Sequence, residues 1–193
     1  FLNSGPGFGG SCFKKDILNL VYLCRYYGLV EVADYWEQII NINIWQQKRI
    51  ISILNKYLFG NLSNKKIAIL GFSFKANTND TRESPAINIS KDLLVEGAEL
   101  TFYDPRVEDK EIKRLINEEE ISSNYSICKS ALIATEEADA VLVLTDWEEF
   151  KDLNWKNIYK IMRKPAWIFD TRLCLDKNYL NDIGFNVWTI GVS

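Results

Sequence analysis

Cys12, Lys15 and Asp16 are the residues whose types and spacing could do covalent chemistry. They follow a glycine-rich loop, Gly5-Pro6-Gly7-Phe8-Gly9-Gly10-Ser11. A helix with Ser11 as its N-cap makes Cys12 the first helical residue, where free backbone N–H groups and the positive end of the helix dipole favour a thiolate. Steps of three and four residues put Lys15 and Asp16 on the same helix face as Cys12. A thiol, an ammonium and a carboxylate so grouped suit a nucleophilic mechanism. A buried structural cysteine is the other reading, and position and neighbours leave both open. Cys24, Cys128 and Cys174 sit in apolar patterns, as structural cysteines do.

Gly5, Gly7 and Gly10 also satisfy the spacing GxGxxG. A dinucleotide fingerprint of that form follows a strand and has an acidic residue about 20 positions on. Only four residues precede Gly5, so a phosphate loop of that kind is disfavoured against a flexible loop or one shaped around another ligand.

A second cluster lies at Gly71-Phe72-Ser73-Phe74-Lys75 and continues through Thr81-Arg82-Glu83-Ser84. This segment leaves a short apolar strand at its carboxyl end, where open α/β sheets bind ligands. It offers an aromatic ring for stacking, a lysine, and an arginine just before a helix N-terminus, which suits a phosphorylated or nucleotide ligand. Arg172, in Phe169-Asp170-Thr171-Arg172, leaves a later strand in the same way and would point into the same crevice. A solvated loop with unused charges is the competing reading. Glu118-Glu119-Glu120 reads as a solvated helix face.

Composition removes other chemistries. None of the 193 residues is histidine, which excludes a Ser-His-Asp triad, a Cys-His dyad and any histidine-ligated metal. No metal site is expected. With 23 basic and 26 acidic residues the net charge is −3, a poor footing for nucleic-acid binding. Four widely spaced cysteines fit a reducing compartment, and no apolar run reaches the length of a membrane span. No signal peptide is visible, so a cytoplasmic setting without membrane association is expected. The start at Phe1 suggests residues upstream.

The elements that must position these groups follow from periodicity. Phe13, Ile17, Leu20, Val21, Cys24 and Tyr27 recur at helical steps until Gly28. An uninterrupted helical pattern then runs from about Val30 to Leu58, roughly 43 Å long at about 1.5 Å per residue. Its apolar residues occupy more than one side, which predicts burial between two bodies, as a connector or a subunit interface. Beyond Asn64 short apolar strands alternate with helices: strands at 66–71, 99–103, 125–128, 140–144, 166–169 and 185–188, and helices at 84–97, 108–120, 130–138, 154–162 and 176–183. Ser84 caps the first of these helices and Pro85 starts it. The fold class is therefore α/β: a central long-helix segment followed by a doubly wound, mainly parallel Rossmann-like sheet. Residues 1–60 form the cysteine loop and helical region, and residues 61–193 the sheet domain.

Gly7-Phe8-Gly9-Gly10-Ser11-Cys12-Phe13-Lys14-Lys15-Asp16 resembles the cysteine signature of the UDP-glucose 6-dehydrogenase family. The resemblance continues through Leu18 to Cys24, Tyr35-Trp36, Ile67 to Phe72, Thr81-Arg82-Glu83-Ser84, Tyr103-Asp104-Pro105, Thr145-Asp146-Trp147 and Ile168-Phe169-Asp170. It covers essentially the whole chain in order. The activity it implies is oxidation of UDP-glucose to UDP-glucuronate with two NAD, through a cysteine thiohemiacetal and a thioester. It implies Cys12 as nucleophile and Asp16 as the group assisting the hydrolytic water. Phe1, Leu2, Asn3, Ser4, Gly5, Phe8, Gly9, Phe74, Lys75 and Arg172 would hold UDP-glucose, and Lys15 and Arg82 would face NAD. The glycine loop then serves the sugar nucleotide.

The resemblance also implies a homo-oligomer built through the long central helix. It places the family's NAD-binding domain upstream, so that the chain alone is expected to be inactive. Lys14 and Ala76 depart from the family pattern. Sister enzymes acting on UDP-N-acetylmannosamine or GDP-mannose share the cysteine loop, and a non-catalytic UDP-sugar-binding and dimerisation module is the alternative from another class.

Overall fold

The computed structural model describes residues 3–117 and 124–192. Phe1, Leu2 and Glu118-Glu119-Glu120 lie outside the described residues.

Helix α1 spans Phe13–Tyr26 and buries Ile17, Val21 and Cys24, three residues of the predicted apolar stripe. Gly28 takes φ +76°, a conformation that costs glycine little, and the chain turns back there. Helix α2, Val30–Tyr57, has 28 residues and so a length of about 42 Å. Near its start Ala33 packs with Ile17, Val21 and Cys24, and Trp36, Ile39 and Ile40 lean on the same cluster. Arg25 ties the two helices together through Glu37 (2.8 Å). The second half of α2 serves a different core: Ile50 and Leu54 are fully buried against the sheet. Val32, Ile42 and Trp45 stay exposed. The apolar residues of α2 thus do point to more than one side.

The sheet is built from β1 (Lys66–Leu70), β2 (Glu99–Tyr103), β3 (Tyr125–Ile127), β4 (Ala140–Val143), β5 (Trp167–Asp170) and β6 (Asn186–Thr189). Its order is β3-β2-β1-β4-β5-β6 and every pairing is parallel, with Ile67 opposite Leu100 on one side and Ala140 on the other. One face is covered by α2, α3 (Pro85–Val95) and α4 (Asp109–Asn117). The other is covered by α5 (Ala131–Ala134), α6 (Glu148–Lys151), α7 (Trp155–Ile161) and α8 (Lys177–Ile183). Because β1 has β2 on one side and β4 on the other, the strand order reverses at β1, and the crevice lies at its carboxyl end.

Three local expectations are corrected. Ser11 does not cap α1; Cys12 occupies the N-cap position, without a side-chain capping bond, so it precedes the helix. Gly10, at φ +89° and bonded to another loop, sets the entry direction in place of a hydroxyl cap. The helix expected over 130–138 is a single turn, because Ala138 hydrogen-bonds back to Thr135 and the chain enters β4. The short α6 carries no periodic signal long enough to read in sequence. Among the described residues no helix is long and apolar enough to cross a membrane, and no group of three metal-ligating side chains is present.

Candidate functional site

The cysteine loop is held from two directions. From α2, the Asn43 side chain accepts from Phe8 N–H (2.8 Å) and donates to Phe8 carbonyl (3.1 Å), and Gln46 donates to Gly5 carbonyl (3.0 Å). From the sheet unit, the Arg82 carbonyl accepts from Gly10 N–H (2.8 Å). Gly9 is required by contact with backbone, and Gly7 and Gly10 by their positive φ of +137° and +89°. A β-carbon on Gly7 would meet the Asn43 side chain, one on Gly9 the Glu83 carbonyl, and one on Gly10 the Phe74 ring. Phe8 adds an edge-to-face contact with Phe13, with centroids 4.6 Å apart.

Cys12 is exposed at the end of this loop, its Sγ 3.5 Å from Ser11 Oγ. Lys15 and Asp16 are exposed in the first turn of α1, and Asp16 N–H donates to the Cys12 carbonyl (2.8 Å). Lys14 pairs with Glu83 at 2.8 Å and ties α1 to the turn before α3.

Arg82 lies alongside. Its guanidinium donates to both oxygens of Asp80 (2.9 and 2.6 Å) and remains two-thirds exposed. The hydrogen bond to Asp80 raises the pKa of Arg82. In return Arg82 holds the Asp80 carboxyl below the usual carboxylate range.

Arg172 sits beneath the loop. Its Nε donates to Leu144 carbonyl (2.7 Å) and Nη2 to Phe74 carbonyl (3.2 Å). Nη1 would lie 3.0 Å from a β-carbon on Gly5, so the guanidinium leaves room only for glycine there. Desolvation lowers the Arg172 pKa, but the group stays charged. Buried Asp170 fixes the turn that carries Arg172, accepting from the N–H groups of Arg172 and Leu175 (2.9 Å each). Phe74 is half-buried and Lys75 exposed, its Nζ 5.4 Å from the Phe74 ring centroid.

Gly5, Gly9, Gly10, Phe74, Arg82 and Arg172 are therefore linked by contacts at the carboxyl end of the sheet, and Phe8 and Cys12 belong to the loop held there. Lys15, Asp16 and Lys75 are exposed beside those residues. Asn3 and Ser4 are exposed at the start of the loop. Sequence reasoning missed Asn43, Gln46 and buried Gln47, which bonds Asn88 on α3 (2.9 Å). Gln46 and Gln47 open a polar run with Lys48 and Arg49, whereas Asn43 stands alone between Ile42 and Ile44.

Comparison with known proteins decides what this arrangement belongs to. The UDP binding domain profile of the UDP-glucose/GDP-mannose dehydrogenase family matches residues 68–177, and that family's central domain profile matches residues 1–45. The chain belongs to the UDP-glucose/GDP-mannose dehydrogenase family. It is 46% identical over 206 aligned residues to UDP-glucose 6-dehydrogenase 4 of Arabidopsis thaliana, covering 99% of this chain and 43% of that protein. It is 45% identical to UDP-glucose 6-dehydrogenase of Caenorhabditis elegans, covering all of this chain and 41% of that protein. The chain thus spans less than half the length of these relatives. Among solved structures it resembles a UDP-D-ManNAc dehydrogenase from Pyrococcus horikoshii, with TM-score 0.71, 29% identity, 97% of this chain and 39% of that one. In the dehydrogenase family the loop before α1 belongs to the central domain and the sheet to the UDP binding domain. Both resemblances read from the sequence, to the family and to a Rossmann-like sheet, are borne out.

Proposed function

We propose that this chain is the thiol-bearing and sugar-nucleotide-binding portion of an NAD-dependent dehydrogenase that oxidises UDP-glucose to UDP-glucuronate. The observation that carries the reading is the docking of the Cys12 loop onto the crevice that holds Phe74, Lys75 and Arg172. We divide the chain functionally into residues 1–60, which present the thiol, and 61–193, which hold the nucleotide, although the end of α2 packs in the core of the second unit.

In this reading the loop from Asn3 to Gly9 wraps the sugar nucleotide, and Phe1 and Leu2 also contribute to holding it. Phe74 offers a ring face, and Lys75 and Arg172 offer positive charge to the diphosphate and sugar end. Cys12 is presented to the sugar C6 carbon. Its thiolate adds to the aldehyde carbon to give a thiohemiacetal, and water later cleaves the thioester, releasing carboxylate and restoring the thiol. Asp16, one turn along the same face, accepts a proton from that water. In this reading exposed Lys15 lies at the nicotinamide side and exposed Arg82 reaches NAD. NAD, when bound, supplies the hydride acceptor for both two-electron oxidations.

The exposed apolar residues of α2, including Val32, Ile42 and Trp45, support pairing of two copies along this helix. Such a chain would work in the cytoplasm without a nucleic-acid or membrane partner. Titration calorimetry with UDP-glucose and GDP-mannose tests the binding. UDP-glucose should bind at least tenfold more tightly, and no binding of UDP-glucose overturns the reading. The chain alone is expected to yield no NADH with UDP-glucose and NAD.

A further inference from the structure

Asp104 follows β2, next to the turn at the end of β1. In a dinucleotide-binding fold an acidic residue at this place grips the ribose hydroxyls. Here the carboxylate is turned inward. Oδ2 accepts from Phe72 N–H (2.7 Å), Ser73 N–H (3.1 Å) and Trp147 Nε1–H (3.2 Å), and Ser73 Oγ lies 3.4 Å away. Oδ1 accepts from the N–H groups of Arg106 and Val107 (2.9 Å each). A carboxylate has about four lone-pair sites, so Asp104 is saturated by its own protein and has no capacity left for a ribose.

These donors come from three segments that meet only in the fold: the β1 turn, the β2 turn and the start of α6. Phe72 and Ser73 immediately precede Phe74 and Lys75. Ser73 Oγ also donates to the Lys75 carbonyl (2.9 Å), and the Ser73 carbonyl accepts from Thr145 Oγ1 (2.7 Å). Arg106 adds a second strut, donating to the Asn77 carbonyl (3.0 Å) while stacking over the Trp147 ring at 5.6 Å.

We propose that Asp104 is a positioning residue for nucleotide binding: it converts what would be a dinucleotide turn into a fixed platform that presents Phe74 and Lys75. This rests on the reading of Phe74 and Lys75 as nucleotide-sugar contacts. Charge-assisted bonds to backbone N–H groups are strong enough to hold a loop of this length in one geometry, and a loop held in its binding conformation loses less entropy when ligand arrives.

The test is calorimetric titration of UDP into the chain and into Asp104→Ala, Asp104→Asn and Lys75→Ala variants. Asp104→Ala should weaken UDP binding at least tenfold. Asp104→Asn should recover part of that loss, because its single carboxamide oxygen can still accept from Phe72 and Ser73 while the acceptor for Arg106 and Val107 is gone. A merely structural role would lower thermal stability in both variants and leave the affinity of the folded protein unchanged. Folded Asp104→Ala with parental affinity, or equal losses in the Ala and Asn variants, overturns the proposal. Should Asp104→Ala fail to fold, Ser73→Ala decides, since it removes the hydroxyl next to both Asp104 and the Lys75 carbonyl; weaker UDP binding supports the proposal and unchanged binding overturns it. If the parent chain does not bind UDP, or Lys75→Ala binds as tightly as the parent, the underlying reading fails and the proposal with it.

Discussion

Gly9 lies directly against the carbonyl oxygen of Glu83, so closely that a β-carbon on Gly9 would collide with that oxygen. Glu83 itself adopts φ +53°, an uncommon conformation for a non-glycine residue. The turn before α3 is thus shaped to receive the cysteine loop, and Gly10 N–H closes the contact on the neighbouring Arg82 carbonyl. Gly9→Ala must push two backbones apart, because the obstructing atom cannot rotate away. We expect a loss of about 1–3 kcal/mol in stability and weaker binding of UDP-glucose, measured by urea unfolding and by calorimetry. Unchanged values in both would show that the loop is not docked there.

The four thiols should separate by reactivity. Cys12 is exposed, Cys24 is buried, and burial raises the pKa of Cys128. Burial pushes the Cys174 thiol up to about 12, and the charges of Asp170 and Asp146 act in the same direction. At pH 8 its thiolate fraction is then on the order of one in ten thousand. Titration of the native chain with a chromogenic disulfide at pH 8 should show one fast thiol, with the rest appearing only in denaturant. Cys12→Ser should remove the fast phase; a fast phase that survives would assign the reactive thiol elsewhere.

Legibility in the sequence tracked how local each determinant is. β2 runs over Glu99–Tyr103 and ends at Asp104-Pro105 as expected, and Ser84 caps α3 through Ala86 N–H with Pro85 at the first position. Both follow from neighbouring residues alone. The N-cap of α1 did not, because Gly10 is held by Arg82, more than 70 residues away in sequence. Cys12, Phe74 and Arg172 were legible as chemistry-bearing types beside glycine turns and strand ends. Asn43 and Gln46 were not, since a polar residue on a helix reads as solvated until the loop it binds is in place. Asp104 was legible as an acidic residue after a strand, yet its hydrogen bonds come from Trp147 and Ser73, which the fold alone brings to it.

Arg172 should not tolerate lysine. Its fork bridges the Leu144 and Phe74 carbonyls while lying under Gly5, a geometry that an ammonium on a flexible stem cannot reproduce. Arg172→Lys leaves at least one partly buried carbonyl without its donor, which costs about 1–3 kcal/mol. Urea unfolding should register that loss, and calorimetry should show weaker UDP-glucose binding in the folded variant. Parental stability together with parental affinity would remove Arg172 from the site.

Acid should loosen the segment that carries Arg82 before it unfolds the sheet. Asp80 is held below the ordinary carboxylate range, first by its hydrogen bond from Arg82. Glu111 is also lowered, first by its hydrogen bond from Arg114, and it accepts in addition from Thr81 Oγ1 (3.1 Å). Both folded-state values are depressed, so the stability these groups contribute is fully present above the unfolded carboxylate pKa of about 4. It is lost as the pH falls through the depressed folded values. Surface pairs of this kind are weak, so the effect is local rather than global. The urea midpoint of the parent should exceed that of Asp80→Asn at about pH 6–7, and the difference should begin to shrink as the pH falls below about 4. Hydrogen exchange at residues 78–83 should accelerate over the same interval. A midpoint difference that persisted unchanged to the lowest pH would mean that Asp80 acts through its shape rather than its charge.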